Sequence, residues 1–249
     1  MLNGAVFLLF VAVAVWVQNI TGFALALVLL GLVGASNLLP LPDAVNVVTV
    51  IGLVNAAVYL FHRRALHLQR VMWPALCASL AGTALGVLLL GWIAGAAYEW
   101  LRLLLGLIVV GCAALLWREA KPLAKPSPAG SFLAVGLVSG LMGGLFSTAG
   151  PPLVYQLYRQ PWSGERVRET LMFFFGVGAL MRLLMVLPTG GFSVRAGVLT
   201  AVAVPVVVLV TQLTARRPPP MSPRVLKGLV CLLLVGSGLT MVAAAWRGL

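Results

Sequence analysis

Residues 140–160 read GLMGGLFSTAGPPLVYQLYRQ, an apolar stretch with no charge before Arg159 that interrupts itself at Gly143, Gly144, Gly150, Pro151 and Pro152. In water it would pass as a loop between two buried helices. In a bilayer the same break strips backbone N–H and C=O groups of water, and each must find a partner inside the protein. What the stretch means depends on which solvent surrounds the chain.

Composition settles the solvent. The chain has 249 residues, 61% of them hydrophobic and 9% charged, against about 45–50% and about 25% in soluble domains. Mean hydropathy is +1.08. Apolar runs occupy 44–61, 71–94, 100–117, 170–187, 194–214 and 225–246, each close to the roughly 20 residues a helix needs to cross a bilayer. Alternating segments of about 10 residues, the mark of a membrane β-barrel, do not occur. The expected class is all-α integral membrane protein, with the lipid bilayer as its surroundings.

The net charge of +12 does not point to nucleic acid, because most basic residues sit in short loops between runs, as the positive-inside rule requires. Cys77, Cys112 and Cys231 are scattered inside runs and read as small core residues, with no disulfide framework or metal site among them. The N-terminal MLNGAVFLLF lacks a basic n-region and an A-x-A site, so it is expected to stay in the mature chain.

Two longer runs, 4–39 and 130–158, are punctuated. As one helix, 130–158 overshoots a bilayer core of about 30 Å by roughly half, and two full spans would need about 40 residues plus a turn. A re-entrant hairpin, or a span plus a half-helix, fits. Shifting the chain by 122 residues aligns Gly22 with Gly144, Asp43 with Glu165, Arg102 with Arg224 and Gly106 with Gly228. Each half then reads as one broken segment followed by three clean helices. The expected division is an N-terminal repeat over 1–117, a cytoplasmic linker over 118–129 and a C-terminal repeat over 130–249.

Charge favours hairpins. If both ends of each broken segment share a side, four loops face one way with twelve basic residues: Arg63, Arg64, Arg70, Arg118, Lys121, Lys125, Arg159, Arg166, Arg168, Arg216, Arg217 and Arg224. Arg102, Arg195 and Arg247 lie on or near the other face. Eight plain spans would erase this bias. Hairpins also give each half an odd number of crossings, so the repeats are expected to be inverted.

Inverted repeats with broken helices are a recurring carrier plan, with substrate held at the breaks. Pro151 and Pro152 suit a helix's first turn, and free N–H groups around Thr148–Gly150 and Leu153, with the Ser147 and Thr148 hydroxyls, would face an anion. The matching break, Gln18-Asn19-Ile20-Thr21-Gly22-Phe23, is expected to face it near mid-membrane. Arg182 is the one charge well inside a run and reads as an anion partner or an interfacial residue. Asn46, Thr49 and Asn55 follow the first break, where helix–helix hydrogen bonding competes with a site role. Tyr155 and Gln156 follow the second break and can line a pocket, and Arg168 and Thr170 open the next helix. The candidate substrate-binding set is Asn19, Thr21, Gly22, Asn46, Thr49, Gly144, Ser147, Thr148, Gly150, Pro151, Pro152, Gln156, Arg168 and Arg182.

Enzyme readings lack residues. His62 and His67 sit in a basic loop without cysteine or carboxylate neighbours, and Asp43, Glu99, Glu119, Glu165 and Glu169 lie at span ends. No phosphate-binding loop occurs, Ser147 has no base within sequence reach, and no cofactor or metal is implied.

With these residues in view, the chain resembles the TauE/SafE family of sulfite and organosulfur exporters over nearly its whole length. The likeness is carried by G143-G-L-F-S-T-A-G-P-P-L-V-Y-Q-L-Y, the basic loop after it, R168-E-T-L-M-F-F-F and Arg182, and in the first half by T21-G-F, the Asp43 helix and H62-R-R…H-L-Q-R. The first half departs in having few glycines after its break. The resemblance implies a multi-pass protein of the bacterial inner membrane that exports a small, often sulfur-containing anion. A homo-oligomer is compatible with this reading. The competing expectation is a membrane assembly or partner protein whose breaks serve packing alone.

Overall fold

The computed structural model describes residues 2–36, 38–61, 69–93, 98–117, 123–148, 150–216 and 223–246. His62, Arg63, Arg64, His67, Arg118, Glu119, Lys121, Arg217 and Arg247 lie outside the described residues, as do the side chains of Glu99, Arg102, Pro151, Arg216 and Arg224. The described residues form α1 (Leu2–Thr21), α2 (Leu25–Ser36), α3 (Leu41–Phe61), α4 (Met72–Ile93), α5 (Tyr98–Trp117), α6 (Ala129–Phe146), α7 (Gly150–Tyr158), α8 (Gly164–Val186), α9 (Val194–Arg216) and α10 (Pro223–Trp246), with no strand among them. The order is a helix, a break, a short helix and three long helices, followed by the same order again.

Among the described residues, six segments are long and apolar enough to cross a membrane: Gly4–Thr21, Leu41–Phe61, Met72–Trp92, Ala129–Phe146, Gly164–Val186 and Val194–Ala215. Their outward faces are greasy. On α9, Val194, Val198, Val202, Leu209 and Leu213 are all exposed, the pattern expected where lipid is the solvent. Trp73 and Trp92 are exposed near opposite ends of α4, about 28 Å apart along the axis, which suits two interfacial aromatic belts.

Local chemistry explains the punctuation. Helix α1 ends where Gly22 and Ala24 take positive φ, +81° and +83°, and the Thr21 hydroxyl bonds the Val17 and Phe23 carbonyls at 2.7 Å each. Helix α6 ends at Ser147, left-handed at φ 54°, whose N–H closes onto the Gly143 carbonyl. Helix α7 restarts with Gly150-Pro151-Pro152, where prolines lose no needed hydrogen bond. Ser163 caps α8 by accepting from the Arg166 N–H at 3.4 Å.

The second broken segment is a closed hairpin. Its two ends are tied by the Leu123 N–H donating to the Arg159 carbonyl at 2.7 Å, the Ser127 N–H donating to Gln160 at 2.9 Å and Gln156 donating to Ser131 at 2.9 Å. Arg159, Arg166 and Arg168 therefore share one end of the bundle with Lys125. Arg70 joins them because α4 runs parallel to α6: Ala75, Ser79 and Thr83 face Gly136, Gly140 and Gly144 in register. The opposite end holds Arg195 and Asp43, where Ser193 donates to Asp43 at 2.7 Å.

The α4–α6 contact is a glycine seam. A Cβ at Gly82, Gly86, Gly136, Gly140 or Gly144 would strike the facing backbone, so only glycine permits this approach. Helix α3 runs parallel to α9 and antiparallel to α8, and α5 packs antiparallel to α10 around Gly106 and Gly238. Helix α1 lies on α9 as α6 lies on α4, and α2 touches α10 as α7 touches α5. The core they enclose includes Phe7, Leu27, Ile51, Phe132, Leu153 and Phe174.

Candidate functional site

The two breaks do not meet at one level. The first packs against Arg168, with a Cβ on Gly22 only 2.8 Å from the Arg168 Cγ. The second is held by Arg182. These arginines are 14 residues apart on α8, about 21 Å along its axis, so the expected meeting near mid-membrane becomes a stagger. The reason is arm length: α1 has 20 residues and α6 has 18, and each carries its break past the middle.

One cavity lies between them. It is lined by Gln18 and Ala24–Leu27 from the first break, Gly143, Ser147 and Thr148 from the second, Val48, Thr49 and Gly52 of α3, Thr83 of α4, and Phe175, Gly178 and Ala179 of α8. About 50 Å³ is open to the centres of water-sized molecules, room for roughly four waters or one small ion.

The short helices aim their N-termini at this cavity. On α2 the N–H groups of Ala26 and Leu27 find no acceptor among the described residues, as first-turn amides do without a cap. Just before α7, Thr148 is 3% exposed and its hydroxyl likewise has no partner among the described residues. The α7 end is poorer in donors than expected. Two prolines supply none, and the Leu153 N–H is taken by Ser139 at 3.1 Å.

The negative C-termini of the long helices are met by cations. Arg182, 2% exposed, donates to the Gly144 carbonyl at 3.0 Å, to Asn46 Oδ1 at 3.1 Å and to Thr49 Oγ1 at 2.7 Å. Arg168 donates to the Ile20 carbonyl at 3.4 Å, while the Tyr158 hydroxyl donates to the Thr21 carbonyl at 2.7 Å. A cation at a helix C-terminus offsets the macrodipole there. Positive ends are thus left facing the cavity.

Of the sequence-predicted residues, Thr49, Ser147 and Thr148 line the cavity. Thr49 and Ser147 share a short hydroxyl–hydroxyl hydrogen bond. Gly144, Asn46 and Arg182 stand behind them, Asn46 also donating to the Gly191 carbonyl at 2.7 Å. Asn19 donates to Thr211, and Thr211 to Asn55, a polar triad joining α1, α3 and α9. Thr21, Gly22 and Arg168 form the latch at the first break, Gln156 ties the hairpin, and Gly150, Pro151 and Pro152 begin α7. Missed by sequence reasoning were Gly52, Thr83, Gly143, Phe175 and Gly178. For the glycines and Thr83 the signal was small size or polarity in apolar runs, and Phe175 gave none.

The sequence profile of the family described as "Sulfite exporter TauE/SafE" matches residues 6–241. The chain is 34% identical over 234 residues to the probable sulfite/organosulfonate exporter TauE of Cupriavidus necator, covering 92% of this chain and 89% of that protein. It is 29% identical over 189 residues to the probable inner membrane transporter protein TsaS of Comamonas testosteroni, covering 73% of this chain and 77% of the relative. No solved structure matches.

Proposed function

The chain belongs to the sulfite exporter TauE/SafE family, and from that premise we propose that its interior cavity carries small sulfur oxyanions and organosulfonates out across the inner membrane. The protein is a multi-pass membrane transporter, and the exported class follows the names its relatives carry. The observation that carries the site is the convergence of two half-helix N-termini on one cavity, with the amides of Ala26 and Leu27 on one side and the Thr148 hydroxyl on the other, none of which has a partner among the described residues. Oriented N–H groups and hydroxyls in a water-poor site bind anions without a formal charge touching them.

The two-repeat division, 1–117 and 130–249, is part of the proposal. It is supported by the repeated helix order and by packing in which α1 on α9, α2 on α10 and α3 on α9 have counterparts in α6 on α4, α7 on α5 and α8 on α4. Under it Thr49, Ser147, Thr148 and the α2 amides contact substrate. Asn46, Gly144, Gly150, Pro151, Pro152 and Arg182 shape the second break, Asn19, Thr21, Gly22 and Arg168 shape the first, and Gln156 closes the hairpin. A homo-oligomer is the further part, checked by light scattering in detergent.

An inside-negative potential drives each negative charge outward by about 2.3 kcal/mol per 100 mV, so export needs no coupling ion. Liposomes containing the purified protein and loaded with sulfite should lose it faster than protein-free liposomes, and faster still with the interior held negative. Equal loss for sulfite and for every sulfonate tried would end the proposal.

A further inference from the structure

Building on the transport reading, we infer that the cavity selects for a single negative charge: its substrates are monoanions, meaning hydrogensulfite and singly charged sulfonates, and dianions such as sulfate are refused.

Among the described residues, no arginine, lysine, aspartate or glutamate lines the cavity. The nearest formal charge is Arg182, whose recorded partners are all neutral oxygens: a carbonyl, an amide and a hydroxyl. Four helix ends flank the space, two positive (α2 and α7) and two negative (α1 and α6). Each counts for roughly half a charge, and they cancel in pairs. Arg168 also meets a C-terminus, that of α1, but it is only half-buried, at the loop end of the bundle and about 21 Å from Arg182 along α8, where water and salt screen it. The buried positive charge left beside the cavity is that of Arg182, whose hydrogen bonds include no carboxylate. One negative charge completes it. A second would stay uncompensated in a low-dielectric site, where an unpaired charge is strongly disfavoured.

The hydroxyl pair connects Arg182 to the cavity. A guanidinium only donates, so Thr49 Oγ1 accepts from it. The Thr49 proton then has two acceptors, the Val45 carbonyl at 2.8 Å or Ser147. Only the second choice frees the Ser147 proton to point into the cavity. A bound anion selects that state, setting the order Arg182, Thr49, Ser147, anion, in which each donor polarises the next. The lining is otherwise largely apolar (Ala24, Leu25, Leu27, Val48, Phe175), which suits the carbon portion of a sulfonate and offers nothing to the hydration shell of a dianion.

The test uses the full-length wild-type protein in liposomes with the potential clamped, comparing ethanesulfonate with 1,2-ethanedisulfonate, sulfate, and sulfite across a pH series. Ethanesulfonate should leave with one charge moved per molecule. The disulfonate and sulfate should be slower by at least about tenfold. Sulfite flux should fall as rising pH converts hydrogensulfite to the dianion, while ethanesulfonate flux stays level. Disulfonate or sulfate flux within about twofold of ethanesulfonate, or sulfite flux that rises with pH, would overturn monoanion selection and leave the transport reading standing. If neither ethanesulfonate nor sulfite moves, the transport reading itself fails. Arg182→Gln should raise the KM for ethanesulfonate about tenfold, with Arg182→Lys recovering most of it; equal loss in both variants counts against the charge argument.

Discussion

Replacing Gly140 by alanine adds one methyl group to the seam between α4 and α6. An ideal Cβ there lies 2.7 Å from both the Cα and the carbonyl carbon of Ser79, and ordinary contact begins at 3.4 Å. Clearing those two carbons alone takes about 0.7 Å, the difference between those two distances, and the Ser79 carbonyl oxygen lies nearer still, so the helices must part by more than that. Neither can yield alone, because the obstacle is backbone and four more glycines hold the same approach. Overpacking of this kind costs about 1–3 kcal/mol, and alanine's better helix propensity returns at most about 1 kcal/mol. Gly111 is the control. It sits exposed on α5 with nothing within 4 Å of its added Cβ, so alanine there brings only the propensity gain. For a chain of this size about 1 kcal/mol moves Tm by roughly 2–4 °C. Unfolding in detergent, followed by tryptophan fluorescence, should place Gly140→Ala several degrees below Gly111→Ala. If Gly140→Ala melts at or above the control, the seam is not the close contact described and the reasoning fails.

Three other substitutions separate site from scaffold. Thr148→Val removes a buried hydroxyl that has no partner, so stability should hold or rise while the KM for ethanesulfonate rises about tenfold or more, as for losing a hydrogen bond to a charged group; a lower Tm with unchanged KM would place that hydroxyl in the scaffold. Ala24→Gly relieves an L-residue held at φ +83° and should stabilise by roughly 1 kcal/mol, so a drop in melting temperature contradicts the strain. Ser139→Ala leaves the Leu153 N–H without its acceptor, a loss of about 1–3 kcal/mol. It should show first as faster trypsin cleavage around Arg159, and unchanged cleavage would mean α7 is held by other contacts.

Much of the fold was legible because glycine and proline punctuate. The breaks after Thr21 and before Gly150 stand in the letters, and helix length decides that neither segment spans twice. Depth was not legible. Nothing local says that α1 and α6 run long enough to stagger their breaks. The roles of the arginines were half visible: Arg182 stood out as the buried charge, but its direction depends on Gly144, Asn46 and Thr49 arriving from other helices. Ala24 gave no sign of its positive φ, since alanine ordinarily avoids that region. The four-residue spacing of Gly136, Gly140 and Gly144 was in plain sight, and its exact partner on α4 came only with the packing.

Helix α8 carries Arg168 and Arg182 within about 40° of one another around its axis and about 21 Å apart along it. Each guanidinium holds the end of a different broken helix. Mechanically, α8 is a bolt with a tooth at either end. Turning it about its axis would withdraw both teeth together and open a leak from one side to the other. Tilting it draws one tooth from its carbonyls while seating the other more firmly. A carrier that must never stand open at both faces is served by a part that can rock more easily than it can spin.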